Sequence, residues 1–257
     1  MHEMNDNKIA AYLRRIGYNG DLVPNYDTLH ALQLQHLQTV PYENLDIMRG
    51  IPLSLKTEDI YDKVVTRGRG GYCFELNALF AWLLRSIGFE VTDLMARFLF
   101  REGDIIPMRR HRVLKVSIEG TDYLADVGVG IMTPRMPLTI TNNHVSEQNG
   151  EKYLLQMEDF LGYVLYEWHK GTWRKLYSFT EEPQIEDDFI GISYYCETHP
   201  GSFFKTMDMV HIITDKGRKS IAGRELKLFT PEGVKAIVPA NDKVFHELLH
   251  EHFGIKL

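Results

Sequence analysis

At Gly88 the chain changes its hydrophobic period. Ahead of it, apolar residues recur at helical spacing. Ile9, Tyr12, Leu13 and Ile16 share one face, and Gly17 stops the run. Leu29, Leu32, Leu34 and Leu37 predict a second helix, capped near Asp27 and Thr28. Residues 57–65 predict a short third one, with Thr57 as cap and acidic residues in its first turn. The stretch 75–87 is apolar with few breakers and reads as a largely buried helix. Beyond Gly88 the runs 91–100, 112–118, 123–127, 138–140, 153–157, 163–167 and 172–177 read as strands between turn signals. Runs at this spacing predict an antiparallel sheet or barrel. The acidic, proline-containing stretch 180–188 reads as a linker. After it come a helix-like segment at 190–196, strands at 210–214 and 220–229, and a helix at 242–253. Helices, then strands, then a mixed tail predict an α+β fold. The expected parts are 1–88 (helical), 89–188 (strands) and 189–257 (mixed).

A chain of 257 residues is long enough to bury a sizeable core. Its 29 basic and 35 acidic side chains leave a formal charge of -6, which argues against a nucleic-acid partner. The short cluster Arg109-Arg110-His111-Arg112 reads as a solvated strand edge. Two cysteines, Cys73 and Cys196, are too few for a disulfide scaffold and fit a reducing compartment. The start Met1-His2-Glu3-Met4-Asn5-Asp6 is polar and unlike a signal peptide, and no run has the ~18 apolar residues of a membrane span. A cytoplasmic location without a membrane partner is expected.

Cys73 carries the chemistry. In Arg69-Gly70-Gly71-Tyr72-Cys73-Phe74-Glu75-Leu76-Asn77 two glycines lead into a cysteine at the start of a helix. Unpaired backbone N–H groups and the helix dipole favour a thiolate there. A thiolate nucleophile needs a base, and the base an orienting group. His111 heads one strand and Asp126 closes the next. A turn at Glu119-Gly120-Thr121-Asp122 makes the two strands a hairpin whose ends meet, which brings His111 to Asp126. Gly128 and Gly130 allow a tight turn and close approach of a substrate. The bland alternatives are a buried structural thiol, an edge-strand histidine and a turn aspartate.

With these residues in view, the chain resembles the arylamine N-acetyltransferases. The Arg69–Asn77 string, the His111 strand and Asp126-Val127-Gly128-Val129-Gly130 carry the likeness. Cys73 and His111 are 38 residues apart, and His111 and Asp126 are 15 apart, as in the family. Val40-Pro41-Tyr42-Glu43-Asn44-Leu45-Asp46, Thr198-His199-Pro200-Gly201-Ser202-Phe203-Phe204 and Gly217-Arg218 support it. The resemblance implies a helical bundle, a β-barrel and an α/β lid, with a cysteine-protease-like triad where the first two meet. It implies Cys73, His111 and Asp126 as catalytic residues and acetyl-CoA as donor, with no metal. It also implies an aromatic amine, hydrazine or hydroxylamine as acceptor, as in xenobiotic metabolism. Tyr42, Phe98, Val129 and Phe204 match the family's substrate-pocket segments. Tyr42 and Val129 stand where the family often has Phe, which bears on acceptor preference. The short stretch after Gly217 bears on the lid and the coenzyme contacts. A homodimer is left open.

Several other readings accompany this one. Related amide synthases use the same triad on larger acyl chains. Cysteine hydrolases of transglutaminase or papain type use Cys–His–Asp as well, and a binding module retaining the scaffold is a third alternative. Arg69 and Glu43 are expected to form a bidentate structural ion pair beneath the site. His246-Glu247-Leu248-Leu249-His250 matches the zincin string but lacks a third ligand motif. Cys196 reads as a small buried hydrophobe.

Overall fold

The computed structural model describes residues 3–100, 105–148 and 150–257; Met1 and His2 of the polar N-terminal stretch lie outside that set. Helix α1 (Asp6–Ile16) begins at Asn5, whose side chain accepts from the Lys8 N–H, and ends at Gly17 with φ 74°. Helix α2 (Tyr26–Thr39) starts earlier than expected: Asn25 is the cap and accepts from the Thr28 N–H. The two-residue strand β1 (Tyr42–Glu43) and the turn-length α3 (Leu45–Met48) follow. Helix α4 (Thr57–Tyr61) continues into a π turn (Asp62–Thr66), and Thr57 lies inside it rather than capping it. Helix α5 (Cys73–Ser86) begins two residues before the apolar stretch, so Cys73 is its first residue. Every side chain from Cys73 to Leu84 is buried, because this helix runs through the main core with partners on all sides.

After Gly88 the strands β2 (Glu90–Phe98), β3 (Arg109–Ile118), β4 (Thr121–Ala125), β5 (Leu138–Thr139), β6 (His144–Gln148), β7 (Glu151–Glu158), β8 (Gly162–His169) and β9 (Thr172–Phe179) form one antiparallel sheet. Its order is β5-β4-β3-β2-β9-β8-β7-β6. The two edge strands approach each other, so the sheet curls almost shut as a barrel around Leu94, Val113, Leu155, Leu165 and Phe179. Strand β6 escapes the sequence pattern because most of its residues are exposed or half-exposed, with no apolar face to alternate. The expected linker at 180–188 is fastened to the barrel instead. The Gln184 N–H donates to the Asp93 carbonyl at 2.9 Å, and Glu186 accepts from the buried Arg112 guanidinium at 2.8 Å.

The last part holds α6 (Asp188–Thr198), β10 (Met209–Thr214), β11 (Gly217–Ala222), β12 (Glu225–Thr230), β13 (Gly233–Ile237) and α7 (Asp242–Phe253). The single run expected at 220–229 breaks at Gly223, φ 62°, into the β11–β12 hairpin. The second sheet has the order β1-β10-β11-β12-β13, so β1 from the helical part forms its edge, with Tyr42 opposite His211. Helix α7 buries Phe245, Leu248, Leu249 and Phe253 against Val210, Ile221 and Leu226 of this sheet. Among the described residues no helix is long and apolar enough to cross a membrane. The start of α5, strand β3 and strand β10 converge on one place.

Candidate active site

The turn into α5 is held by close packing. A Cβ on Gly70 would lie 1.9 Å from the Pro41 carbonyl oxygen, so only glycine lets this loop pass β1. The Glu43 N–H donates to the Gly71 carbonyl at 2.8 Å, and Glu75 reaches back to accept from the Tyr72 N–H at 3.1 Å. Beneath lies a buried ion network. Arg69 donates through Nε and Nη2 to one oxygen of Glu43, at 2.9 and 2.7 Å, and through Nη2 to Asp46 at 2.9 Å. The expected ion pair of Arg69 and Glu43 is present, with both donors on one carboxylate oxygen, while the second Glu43 oxygen accepts from the Leu45 N–H. Lys63 bridges Asp46 and Glu75 at 2.7 and 2.8 Å. Burial alone would lower the Lys63 pKa, but Glu75, Glu43 and Asp46 together raise it and keep the ammonium charged.

The β3–β4 hairpin turns on Glu119 and Gly120, φ 49° and 80°, two residues shorter than the expected turn. Its open end brings the His111 Nε2–H to 2.8 Å from Asp126 Oδ2. The other Asp126 oxygen accepts from Asn77 Nδ2 at 2.9 Å and from the Gly128 N–H at 2.7 Å. Asn77 also donates to the Arg112 carbonyl at 2.6 Å and accepts from the Val127 N–H at 2.9 Å. It stands four residues after Cys73, on the same face of α5. Asn77 therefore fastens helix α5 to both strands of the hairpin. It lay inside the motif string, yet nothing local distinguished it from a helix-surface asparagine.

Cys73 Sγ approaches the Arg110 carbonyl at 3.8 Å, one residue before His111. The three side chains are 2%, 3% and 2% exposed for Cys73, His111 and Asp126. Burial pushes the Cys73 thiol well above the ordinary range, and Cys196 and Asp126 add to the rise. The N–H groups of Arg112 and Phe74 pull the other way but do not overcome it. Burial thus opposes the stabilisation that the helix start offers a thiolate. Gly128 packs against the start of α5, since its Cβ would stand 2.7 Å from Cys73 Cα. Gly130, φ 74°, makes the turn.

Cys73 and His111 open on a cavity of about 550 Å³, a size suited to a small molecule. Tyr42, Phe98, Val129 and Phe204 all line it. Sequence reasoning passed over Arg110, Phe203, Met207, Met209 and His211, which line it too. The alternation of β10 was the available signal for Met209 and His211. His246 and His250 lie on the exposed face of α7, and no metal-binding cluster occurs among the described residues. Cys196 is buried, and burial pushes its thiol up to about 12.

Residues 25–257 match the family model described as N-acetyltransferase. The arylamine N-acetyltransferase of Mycolicibacterium smegmatis is 39% identical over 254 residues, which are 97% of this chain and 92% of that protein. The chain belongs to the arylamine N-acetyltransferase family. Among solved members, the Mycobacterium tuberculosis structure superposes with a TM-score of 0.90 at 37% identity, covering 96% of this chain and 92% of that one. The Mycobacterium marinum structure, solved in complex with CoA, also has a TM-score of 0.90, at 33% identity and with the same coverage. The helical bundle, barrel and α/β lid that the motifs implied are the architecture of this family, and the chain is an acyltransferase.

Proposed function

We propose that the enzyme transfers the acetyl group of acetyl-CoA to the nitrogen of arylamines, arylhydrazines or hydroxylamines, by a ping-pong route through Cys73. The observation that carries this is the buried His111–Asp126 pair opening, with Cys73, on one mostly apolar cavity. His111 takes the thiol proton, and the burial that raises the thiol pKa makes such a base necessary. Asp126 accepts from Nε2–H, leaves Nδ1 free as the base, and stabilises the imidazolium that forms. The thiolate attacks the acetyl carbonyl. The new carbon–sulfur bond replaces the one to CoA, and CoA leaves with the proton from His111.

First-turn N–H groups of a helix have no intrahelical partner, and we assign those at the start of α5 to the developing oxyanion. The amine then attacks the acetyl-cysteine, His111 removes its proton, and Cys73 departs as thiolate. Phe98, Val129, Phe204 and Tyr42 supply the flat apolar walls an aromatic ring requires. The parts divide the labour: 1–88 brings the nucleophile, 89–188 the base and its orienting carboxylate, and 189–257 a wall of the cavity. Cys73, His111 and Asp126 all lie on one chain. A cytoplasmic setting suits two free thiols.

Mass spectrometry after mixing with acetyl-CoA tests the route. A single acetyl group on Cys73, absent from Cys73→Ser, is the expected result. Normal turnover by Cys73→Ser overturns it. Hydrolysis outpacing transfer would point to the hydrolase alternative. Exchanging Val129 for Phe is expected to shift the acceptor preference toward smaller rings, and an unchanged preference removes Val129 from the pocket.

A further inference from the structure

We propose that His211 is the polar anchor of the acceptor pocket and selects arylamines that carry a hydrogen-bond acceptor, such as an ether oxygen, on the ring away from the amine. This rests on the acetyl-transfer reading above.

Two neighbours, Tyr42 and Gly130, determine how His211 meets the cavity. Strand pairing sets it opposite Tyr42, and the two rings stack with centroids 5.8 Å apart and planes inclined by 27°. On another side a Cβ added to Gly130 would stand 3.0 Å from His211 Cδ2, so the glycine backbone closes over the ring. The ring lines the same cavity as Cys73 and His111. Its Nδ1 is buried and hydrogen-bonds nothing among the described residues.

The clamp also decides which nitrogen carries the proton. Burial, and then the nearby Arg218 charge, hold the His211 pKa down at about 4, so the ring is neutral near pH 7. A neutral imidazole has one N–H and one lone pair. An orphaned buried N–H is rarer, and costlier, than an orphaned acceptor. The proton therefore sits on Nε2, and His211 offers that N–H to a ligand. His111 is already engaged by Asp126. His211 thus brings an uncommitted donor to a wall built largely of Phe, Met and Val. A ligand oxygen satisfies the donor, whereas a hydrocarbon of the same shape leaves it unpaired, and such a mismatch discriminates strongly.

The probes are 4-methoxyaniline and 4-ethylaniline, which match in size but differ in the acceptor oxygen. The quantity read is the ratio of their kcat/KM values with acetyl-CoA as donor. Wild type is expected to favour the methoxy compound. His211→Phe and His211→Leu are each expected to lower the ratio about ten-fold, the scale of one lost hydrogen bond. His211→Gln, which keeps an N–H donor, is expected to regain part of it. A ratio unchanged in the Phe and Leu variants overturns the assignment, as does an effect confined to the KM for acetyl-CoA. Wild type that forms no acetyl-cysteine overturns the acetyl-transfer reading instead.

Discussion

His111 Nε2 lies 2.8 Å from Asp126 Oδ2, and the other Asp126 oxygen is shared between Asn77 and the Gly128 N–H. The carboxylate is thus an acceptor on both sides. Asp126→Asn must turn an amide NH2 toward either His111 or the two donors, so one contact becomes a clash of donors. An NH2 facing His111 favours the wrong imidazole tautomer, and an NH2 facing the two donors sets it against the Asn77 amide and the Gly128 N–H and displaces the side chain. The burst of CoA released on acetylation is expected to slow by roughly 10³-fold, with the fold retained. A burst at the wild-type rate would remove Asp126 from the mechanism.

Gly128 packs against the backbone of Cys73. Adding a methyl in Gly128→Ala places carbon 2.7 Å from Cys73 Cα and 2.8 Å from Asn77 Nδ2, too close for either to remain in place. The displaced atoms belong to helix backbone and to a fully bonded side chain, so neither gives way cheaply. A displacement near 1 Å at the reacting atoms costs about 100-fold. Acetylation of Cys73 in Gly128→Ala, timed by quenched mass spectrometry, is expected to show a loss of that order.

Arg69 is the hinge of the buried ion network. Arg69→Ala leaves Glu43 and Asp46 buried with fewer partners, although Lys63 still holds Asp46. Removing one member of such a network costs about 3–5 kcal/mol, mostly through the charge left behind. Urea unfolding is expected to show that loss, and the Tyr72–Cys73 turn is expected to loosen with it. A variant as stable as wild type would mean that the network contributes little.

His36 makes stability fall in acid. Its ring is fully buried between Tyr12, whose hydroxyl lies 2.8 Å from Nδ1, and Phe80. Burial, reinforced by Arg15, holds its pKa down at about 3. The unfolded chain binds a proton on this residue below the ordinary value of about 6.5, while the folded chain does not until near 3. Stability is therefore full above about 6.5 and declines as pH drops through that window, by up to about 1.4 kcal/mol per unit. Unfolding curves at several pH values are expected to flatten by that amount in His36→Gln, which still offers Tyr12 a partner.

Local chemistry made much of this protein legible in its sequence. The change of period at Gly88, the stop at Gly17 and the Cys73 string depend on residues within a turn or two of each other, so neighbours alone specify them. The meeting of His111 with Asp126 was readable for the same reason, since one hairpin joins them. Tertiary structure decided the rest. Strands β6 and β13 are too exposed to carry an apolar alternation, and the acidic stretch before α6 looked like a linker until Arg112 and Asp93 met it. Asn77 became the knot of the site, and His211 a wall of the cavity, through contacts between segments distant in sequence. The sharpest contrast concerns Cys73. A helix start favours a thiolate, but closing the core over Cys73 removes the water that would solvate the charge. Burial therefore raises the thiol pKa, against the direction the helix start favours.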